Sequence, residues 1–551
     1  MRRAKENLPK VAYFCMEYAL ESGFRTYSGG LGVLAGDTLK GAREFGYPMV
    51  GIGIRWKQGG GEQFVDAGGG LLDGYRNQDT SHLQDTGVAV KVAIKGRDVR
   101  IKVWKVRGLG VKELYLLDTD VDGNDGEARW ITGQLYGWFG EERVAQEMVL
   151  GIGGVRALRA LKIKPVVFHF NEGHPLFAGF ELLRRRMARG AGFEEALART
   201  RREVVFTTHT PILAGNESHP ADRLVYLGAD LGLTRAQLKR LGGEPFNMTV
   251  GALRLARVAN AVADLHRVTA NRMWKRVKDR CDIIGITNGI HAGTWADPEM
   301  AALAAACAGS RQAKAALWTR HREHKQDLIR SVRERAGVLL DPDILLIGFA
   351  RRAAPYKRPN FIFTEPKFIE PLLRRGRLQI VFSGKAHPMD ENGKGTVGAI
   401  LAMTRAYPES VVFLENYDMA IGKLLTRGVD VWLNNPRRPK EASGTSGMKA
   451  AMNGVLNLSI LDGWWPEACR HGVNGWQFGD GFEHAEDVVL DRHDYRAFKQ
   501  VLAEQVLPTY YDHRDRWIDM MAASILSTRE AFGIERMLRE YYERLYAASA
   551  S

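Results

Sequence analysis

The chain has 551 residues, 45% of them hydrophobic and 26% charged, with four cysteines and a formal net charge of +14. That length exceeds one hydrophobic core, so two or three domains are expected, and the composition is that of an ordinary soluble globular protein. The cysteines (Cys15, Cys281, Cys307, Cys469) lie far apart with no C-x-x-C pair, which argues against a zinc knuckle and a disulfide framework. Cys469 and His471 offer too few donors for a metal site, so no metal is expected. The start, MRRAKENLPKVAYF, lacks the apolar run of a signal peptide, and no apolar stretch is long enough to cross a bilayer. A cytoplasmic enzyme is therefore the expectation. The basic residues are dispersed, with runs at 184–189 and 199–203 near the ends of predicted helices, where cations are favourable. Solvated faces explain them better than nucleic-acid binding, and a cation surplus suits an enzyme handling phosphate anions.

Short apolar, β-branched runs recur along the chain: VAYF (11–14), VVFHF (166–170), VVFTT (204–208), IIGIT (283–287), LLIGFA (345–350), QIVFSG (379–384), VVFLE (411–415), VDVWL (429–433) and LNLSI (456–460). Such runs are what strands buried on both faces look like. Amphipathic helices lie between them, for example EERVAQEMVLGIGGVRALRAL (141–161). Alternating strand and helix implies an α/β fold with parallel sheets covered on both faces. Residues 52–118 break the pattern with glycine clusters and the alternating stretches VAVKVAIK and VRIKVWKV, read as an antiparallel insertion. A mostly helical segment, 291–345, divides the strands into two groups, with a hinge near 288–300. The expected architecture is two facing Rossmann-like domains, 1–290 and 291–525, with the active site in the cleft between them. The helical end, 526–551, is expected to pack back on the first domain.

Ligands of such sheets bind beyond the carboxyl ends of the strands. After VDVWL comes NNPRRPKEASGTSGMKAAMNG, whose small residues lead into a helix beginning around Ser446, a junction suited to an anion. Lys449, in the first turn of an apolar helix, is costly there unless paired, deprotonated or covalently engaged. A Schiff base to an aldehyde cofactor removes that cost, and pyridoxal phosphate also brings a phosphate for the anion site. After LLIGFA comes ARRAAPYKRPN, with Arg351, Arg352, Lys357 and Arg358 mutually repulsive unless an anion lies among them. In the first half, SGGLGVLAGD (28–37) is a glycine-rich turn entering a helix. NEGHP (171–175), HTPILAGNESH (209–219) and NGIHAGTW (288–295) follow three further strands, and His209 is the most promising of their polar residues.

Taken together, these segments resemble the α-glucan phosphorylases of the shorter bacterial and archaeal type, from MEYALESGFRTYSGGLGVLAGD to HGVNGWQFGDG. The resemblance implies the two-domain glycosyltransferase fold of type GT-B and a pyridoxal 5'-phosphate Schiff base on Lys449. It places Tyr417 along the cofactor ring with Trp295 nearby, and Arg351, Thr445 and the Ser446 amide on the cofactor phosphate. Arg352, Lys357 and the Gly30 amide, in the turn Gly29–Leu31, would hold the substrate phosphate. His209, Asn288 and Glu441 would contact glucose hydroxyls, with backbone groups of Ser443 and Gly444, and Tyr356 would approach the 2-hydroxyl. Three positions depart from the family pattern: Arg351 stands where long phosphorylases have lysine, Ala354 replaces a histidine, and Ser28 an asparagine. None removes a charge from the proposed phosphate site. No counterpart of the animal enzymes' phosphorylation tail is recognised, so no such regulation is expected.

The activity so implied is reversible phosphorolysis of the non-reducing terminal glucose of glycogen or maltodextrin, giving α-glucose 1-phosphate with retention. The partners are an α-1,4-glucan or maltooligosaccharide and inorganic phosphate, with no nucleic acid or membrane; a homodimer is usual in the family. The alternative on the same fold is a nucleotide-sugar-dependent glucan synthase, which lacks the cofactor lysine. A non-catalytic glucan-binding protein would require a damaged site, and a glycoside hydrolase would act without phosphate.

Overall fold

The computed structural model describes residues 7–66, 68–137 and 140–547. The chain divides into two compact units. The first comprises Met1–Gly61, Tyr75–Thr287 and Met537–Ser551; the second comprises Glu62–Gly74 and Asn288–Arg536.

Among the described residues, the first unit is built on a nine-stranded sheet. Val11–Phe14, a run with no exposed residue, is central. It pairs in parallel with Met49–Ile54 on one side and Val167–Asn171 on the other. Beyond Val167–Asn171 lie Val204–Thr207, Val258–Ala261 and Asp282–Gly285, all parallel. Beyond Met49–Ile54 lies parallel Leu114–Asp118, then the antiparallel strands Arg97–Val106 and Leu83–Ile94. These last two are the alternating stretches of the sequence, one face buried and the other wet.

Met49–Ile54 and Val258–Ala261 do not stand out in the sequence because glycines interrupt the first and alanines with an asparagine make up most of the second. A Cβ on Gly51 would lie 2.6 Å from Leu39 Cδ1, and one on Gly53 would lie 2.7 Å from the Tyr18 ring. The predicted helix over 141–161 forms as Glu141–Met148, one π-helical turn at Val149–Gly153, then Gly154–Ala160. A Cβ on Gly154 would lie 2.5 Å from the Phe14 ring, so the glycines here are a close-approach device against the sheet. The chain end returns to this unit. Tyr546 Oη lies 2.7 Å from His169 Nδ1, Tyr542 stacks on Tyr47 at 4.7 Å, and Arg257 Nη2 donates to the Tyr546 carbonyl.

Among the described residues, the second unit is built on a six-stranded parallel sheet. Its order is Val411–Leu414, Gln379–Ser383, Leu346–Ala350, Val431–Asn434, Leu456–Ile460, Gly475–Phe478. Numbered along the chain this is 3-2-1-4-5-6, the Rossmann order, with the topological switch point between Leu346–Ala350 and Val431–Asn434. Asp430 joins these strands. Its carboxylate accepts from the Leu346 amide at 2.8 Å, the Lys325 ammonium at 2.6 Å and His321 at 2.9 Å, the last two from the helix Arg311–Ala336. The hairpin of Glu62–Val65 and Leu71–Gly74 belongs to this unit: Gln63 exchanges side-chain hydrogen bonds with both backbone groups of Ala386. The fold class is thus α/β with two Rossmann-like domains. No described helix is long and apolar enough to cross a membrane.

Candidate active site

At the switch point of the second unit, two loops leave adjacent strands and are laced together. Asn435 Nδ2 donates to the Arg358 carbonyl at 2.7 Å, Arg358 Nε donates to the Asn435 carbonyl at 2.7 Å, and the Arg437 amide donates to the Tyr356 carbonyl. Arg358 is fully committed here, with Nη1 on Asp491 and Nη2 on Asp494 at 2.8 Å each. The sequence reading of four cations awaiting one ligand anion is corrected on this point: Arg358 is a structural member of the loop pair.

Of the other three, buried Arg351 places Nη2 2.6 Å from Glu441 Oε2, and Lys357 Nζ is 3.6 Å from the same oxygen. Arg352 is exposed. Arg351 Nη1 is buried without a hydrogen-bond partner, as is Ser443 Oγ. Burial, then the Arg351 and Arg352 charges, lowers the Lys357 pKa to about 7 despite Glu441. Burial would raise the Glu441 carboxyl, but Arg351 and Lys357 outweigh it and hold the group below its ordinary value. The Glu441 amide is fixed by Asp462, whose carboxyl burial and Glu441 push up to about 8. Three cations against one carboxylate leave a positive surplus, the charge state an anion would complete.

Gly444, in the left-handed region at φ 83°, caps the helix Thr445–Met452, so Thr445 and Ser446 form its N-terminus as expected. Trp432 Nε1 lies 3.3 Å from Ser446 Oγ. One turn on, buried Lys449 has its Nζ 3.5 Å from the centre of the Trp295 ring. Asn453 fixes this pairing: its Nδ2 donates to the carbonyls of Lys449 and Trp295, and its Oδ1 accepts from the Asp297 amide. Arg427 holds the same segment through the Trp295 and Ala296 carbonyls. Tyr417 packs on Gly422, where a Cβ would lie 2.8 Å from its hydroxyl, and burial raises that phenol to about 12. Tyr356 is raised further by burial and Glu441. Asn288 is buried with Oδ1 unpartnered, and its carbonyl accepts from Arg536.

In the first unit the switch point lies between Val11–Phe14 and Val167–Asn171. Glu17 Oε2 accepts from the Ser28 amide at 2.6 Å and the Gly29 amide at 3.0 Å, just before the helix Gly30–Phe45. A Cβ at Gly29 or Gly30 would meet nothing within 4 Å, so these glycines leave open space at the turn before Leu31. Glu172 Oε2 accepts from the His209 amide at 2.9 Å and from Thr210 Oγ1 at 3.1 Å. His209 Nε2 lies 2.6 Å from Asn171 Oδ1. Burial, with His266 and His174 adding to it, lowers His209 to about 3, so the ring is neutral and donates Nε2–H to Asn171. Glu17, Asn171, Glu172, Asp462 and Asn453 were not picked out from the sequence. Their part is to hold backbone and ring atoms, which only the folded arrangement shows.

The fold and its chemistry define an α/β protein of two Rossmann-like units, the second carrying a buried lysine and a cluster of cations at its switch point. The family model for carbohydrate phosphorylase matches residues 274–471. A maltodextrin phosphorylase of Thermococcus litoralis is 37% identical across 98% of this chain and 71% of its own length. A glycogen phosphorylase of Aquifex aeolicus is 34% identical across 98% and 86%, and an uncharacterized protein of Methanocaldococcus jannaschii 36% across 97% and 99%. The chain belongs to the carbohydrate phosphorylase family.

Proposed function

We propose that this chain is an α-1,4-glucan phosphorylase, transferring the non-reducing terminal glucose of glycogen or maltodextrin to inorganic phosphate and releasing α-glucose 1-phosphate. The observation that carries the reading is buried Lys449 on the ring of Trp295, one turn into a helix that starts beside a guanidinium with an unpartnered Nη1. These residues fit pyridoxal phosphate. Lys449 would tether it, Tyr417 and Trp295 would line its ring, and Arg351, Thr445 and the Ser446 amide would take its phosphate. When bound, the cofactor supplies a phosphate group able to give and take a proton. A nucleotide-sugar synthase has no use for Lys449, and the relatives named above argue against it.

Arg352, Lys357 and the Gly30 amide hold the substrate phosphate. Its proton passes to the glycosidic oxygen, the C1–O bond breaks, and a phosphate oxygen attacks C1 from the same face, so the configuration is retained. Proton transfer of this kind contributes about 10²–10⁴-fold. Glu441 accepts a glucose hydroxyl while offsetting Arg351 and Lys357. Neutral His209 offers Nδ1 as an acceptor, and its backbone stabilises positive charge developing on the sugar. Fixed dipoles of this sort contribute roughly 2.7–4 kcal/mol each. Asn288, Tyr356, and the backbone of Ser443 and Gly444 fix the sugar's orientation. No protein nucleophile is required, which separates the scheme from retaining hydrolases. A cytoplasmic location and a homodimer belong to the same reading.

The test is an absorbance spectrum of the purified protein before and after borohydride reduction. A cofactor band that reduction shifts, absent from Lys449→Ala, is expected. No band, or one that survives in Lys449→Ala, contradicts the assignment.

A further inference from the structure

A second polar cluster lies in the first unit, and none of its members has a part in the reaction above. Glu147 is on the helix Glu141–Met148. Glu217 precedes, and His219 ends, the short strand Ser218–His219, which pairs with Phe246–Asn247. His219 Nε2 lies 3.8 Å from Glu147 Oε2 and 3.9 Å from Glu217 Oε2. One ligand atom from each of the three lies within 4.8 Å of the others. These separations are too long for hydrogen bonds, yet they converge on a space a single ion could bridge. Glu147 is 0% exposed and His219 4%. Both Glu147 oxygens, Glu217 Oε2 and both ring nitrogens of His219 are buried without a hydrogen-bond partner. A native interior rarely leaves so many polar atoms unpaired in one place, and a bound ion is among the standard explanations. Arg143 Nη1 takes the other Glu217 oxygen at 2.8 Å, with His174 Nε2 at 3.9 Å from it, which leaves Oε2 for a ligand. Arg143 and Arg223 are the cations that His219 senses, and one of the two is already matched by Glu217.

We propose that Glu147, Glu217 and His219 bind a divalent transition-metal cation of the zinc type. Two carboxylate oxygens and one imidazole nitrogen form a donor set suited to such an ion, and three protein ligands leave a further coordination position for solvent or an anion. The ion ties the helix Glu141–Met148 to the strand closing the loop 209–219, the loop that begins at His209. The competing account is a proton: without a cation, burial and the Glu217 charge push the Glu147 carboxyl well above its ordinary value, and the two carboxyls share a hydrogen.

The experiment uses the full chain, stripped with a chelator, dialysed and titrated with Zn²⁺, with bound metal counted by mass spectrometry and melting followed in parallel. About one equivalent per chain and a raised melting temperature are expected. Glu147→Gln keeps the shape and removes the ligand charge, and with His219→Gln it should weaken Zn²⁺ binding at least about tenfold. Co²⁺ substitution should give visible d–d bands without thiolate charge transfer, which separates this site from the free cysteines. Wild-type protein that retains no Zn²⁺, binding unchanged in Glu147→Gln, or a thiolate-type Co²⁺ spectrum overturns the proposal. If His219→Gln does not fold, Glu147→Gln alone decides. A metal-free Glu147→Gln that melts above metal-free wild type, with neither taking up Zn²⁺, establishes the shared proton instead.

Discussion

Lys357 lies against Glu441 with Arg351 and Arg352 close by, and its pKa falls to about 7. In the free protein it is a cation below that pH and neutral above it. A bound phosphate favours the cation, so binding above pH 7 must be accompanied by proton uptake. Phosphate affinity should therefore weaken with rising pH by up to about tenfold per unit. Lys357→Arg keeps its charge throughout and should show a flatter profile. Calorimetric phosphate titrations of both proteins between about pH 6 and 9 make the comparison, in which the ligand's own ionisation cancels. Identical slopes would remove Lys357 from the phosphate site. At this scale much was legible: EASGTSGMK and RRAAPYK named the lysine, the arginines and the helix start. What the sequence hid were partners far along the chain. Arg358 looks like its neighbours in RRAAPYKR, and only folding brings it to Asp491 and Asp494. Glu17 and Glu172 were within quoted motifs, but their role in holding the amides of Ser28, Gly29 and His209 depends on the strand order.

The helix Gly30–Phe45 follows the glycine turn, and the glycines of turn and helix have different jobs. A methyl at Gly36 would overlap the Ala19 carbonyl, whereas one at Gly29 would meet nothing within 4 Å. Gly36→Ala should destabilise the protein by about 1–3 kcal/mol, because backbone must move to admit the methyl. Gly29→Ala should change stability by less than about 0.5 kcal/mol while lowering the rate of phosphorolysis. Denaturant unfolding and turnover of both variants check the pair; a Gly29→Ala enzyme of unaltered rate would show that the open space is not used by substrate. Continuous β-branched runs gave the central strands, since a strand covered on both faces must be apolar throughout. Strands interrupted by glycine, such as Met49–Ile54, or made largely of alanine, such as Val258–Ala261, carry a weaker signal. So does the π-turn at Val149–Gly153, whose glycines interrupt what reads as one amphipathic helix.

The two units are not consecutive lengths of chain. Residues 62–74 leave the first to join the second, and the last residues return to the first. Within the returning segment Tyr541, Tyr542, Leu545 and Tyr546 are buried. Large side chains of this kind contribute about 1.5–3 kcal/mol apiece when buried. A chain stopped after Arg536 should therefore melt well below the full protein or aggregate, and a melting curve equal to that of the full chain would contradict the packing described here. The strand–helix alternation announced two Rossmann-like units, but not the exchange of segments, because a hairpin's alternating pattern does not say which sheet it will join. The central claim concerns chemistry and is tested most directly by following the products formed from a maltooligosaccharide with and without inorganic phosphate. Release of glucose 1-phosphate that requires phosphate and is lost in Lys449→Ala is the predicted result. Free glucose or maltose formed without phosphate, or glucosyl transfer only from a nucleotide sugar, would contradict it.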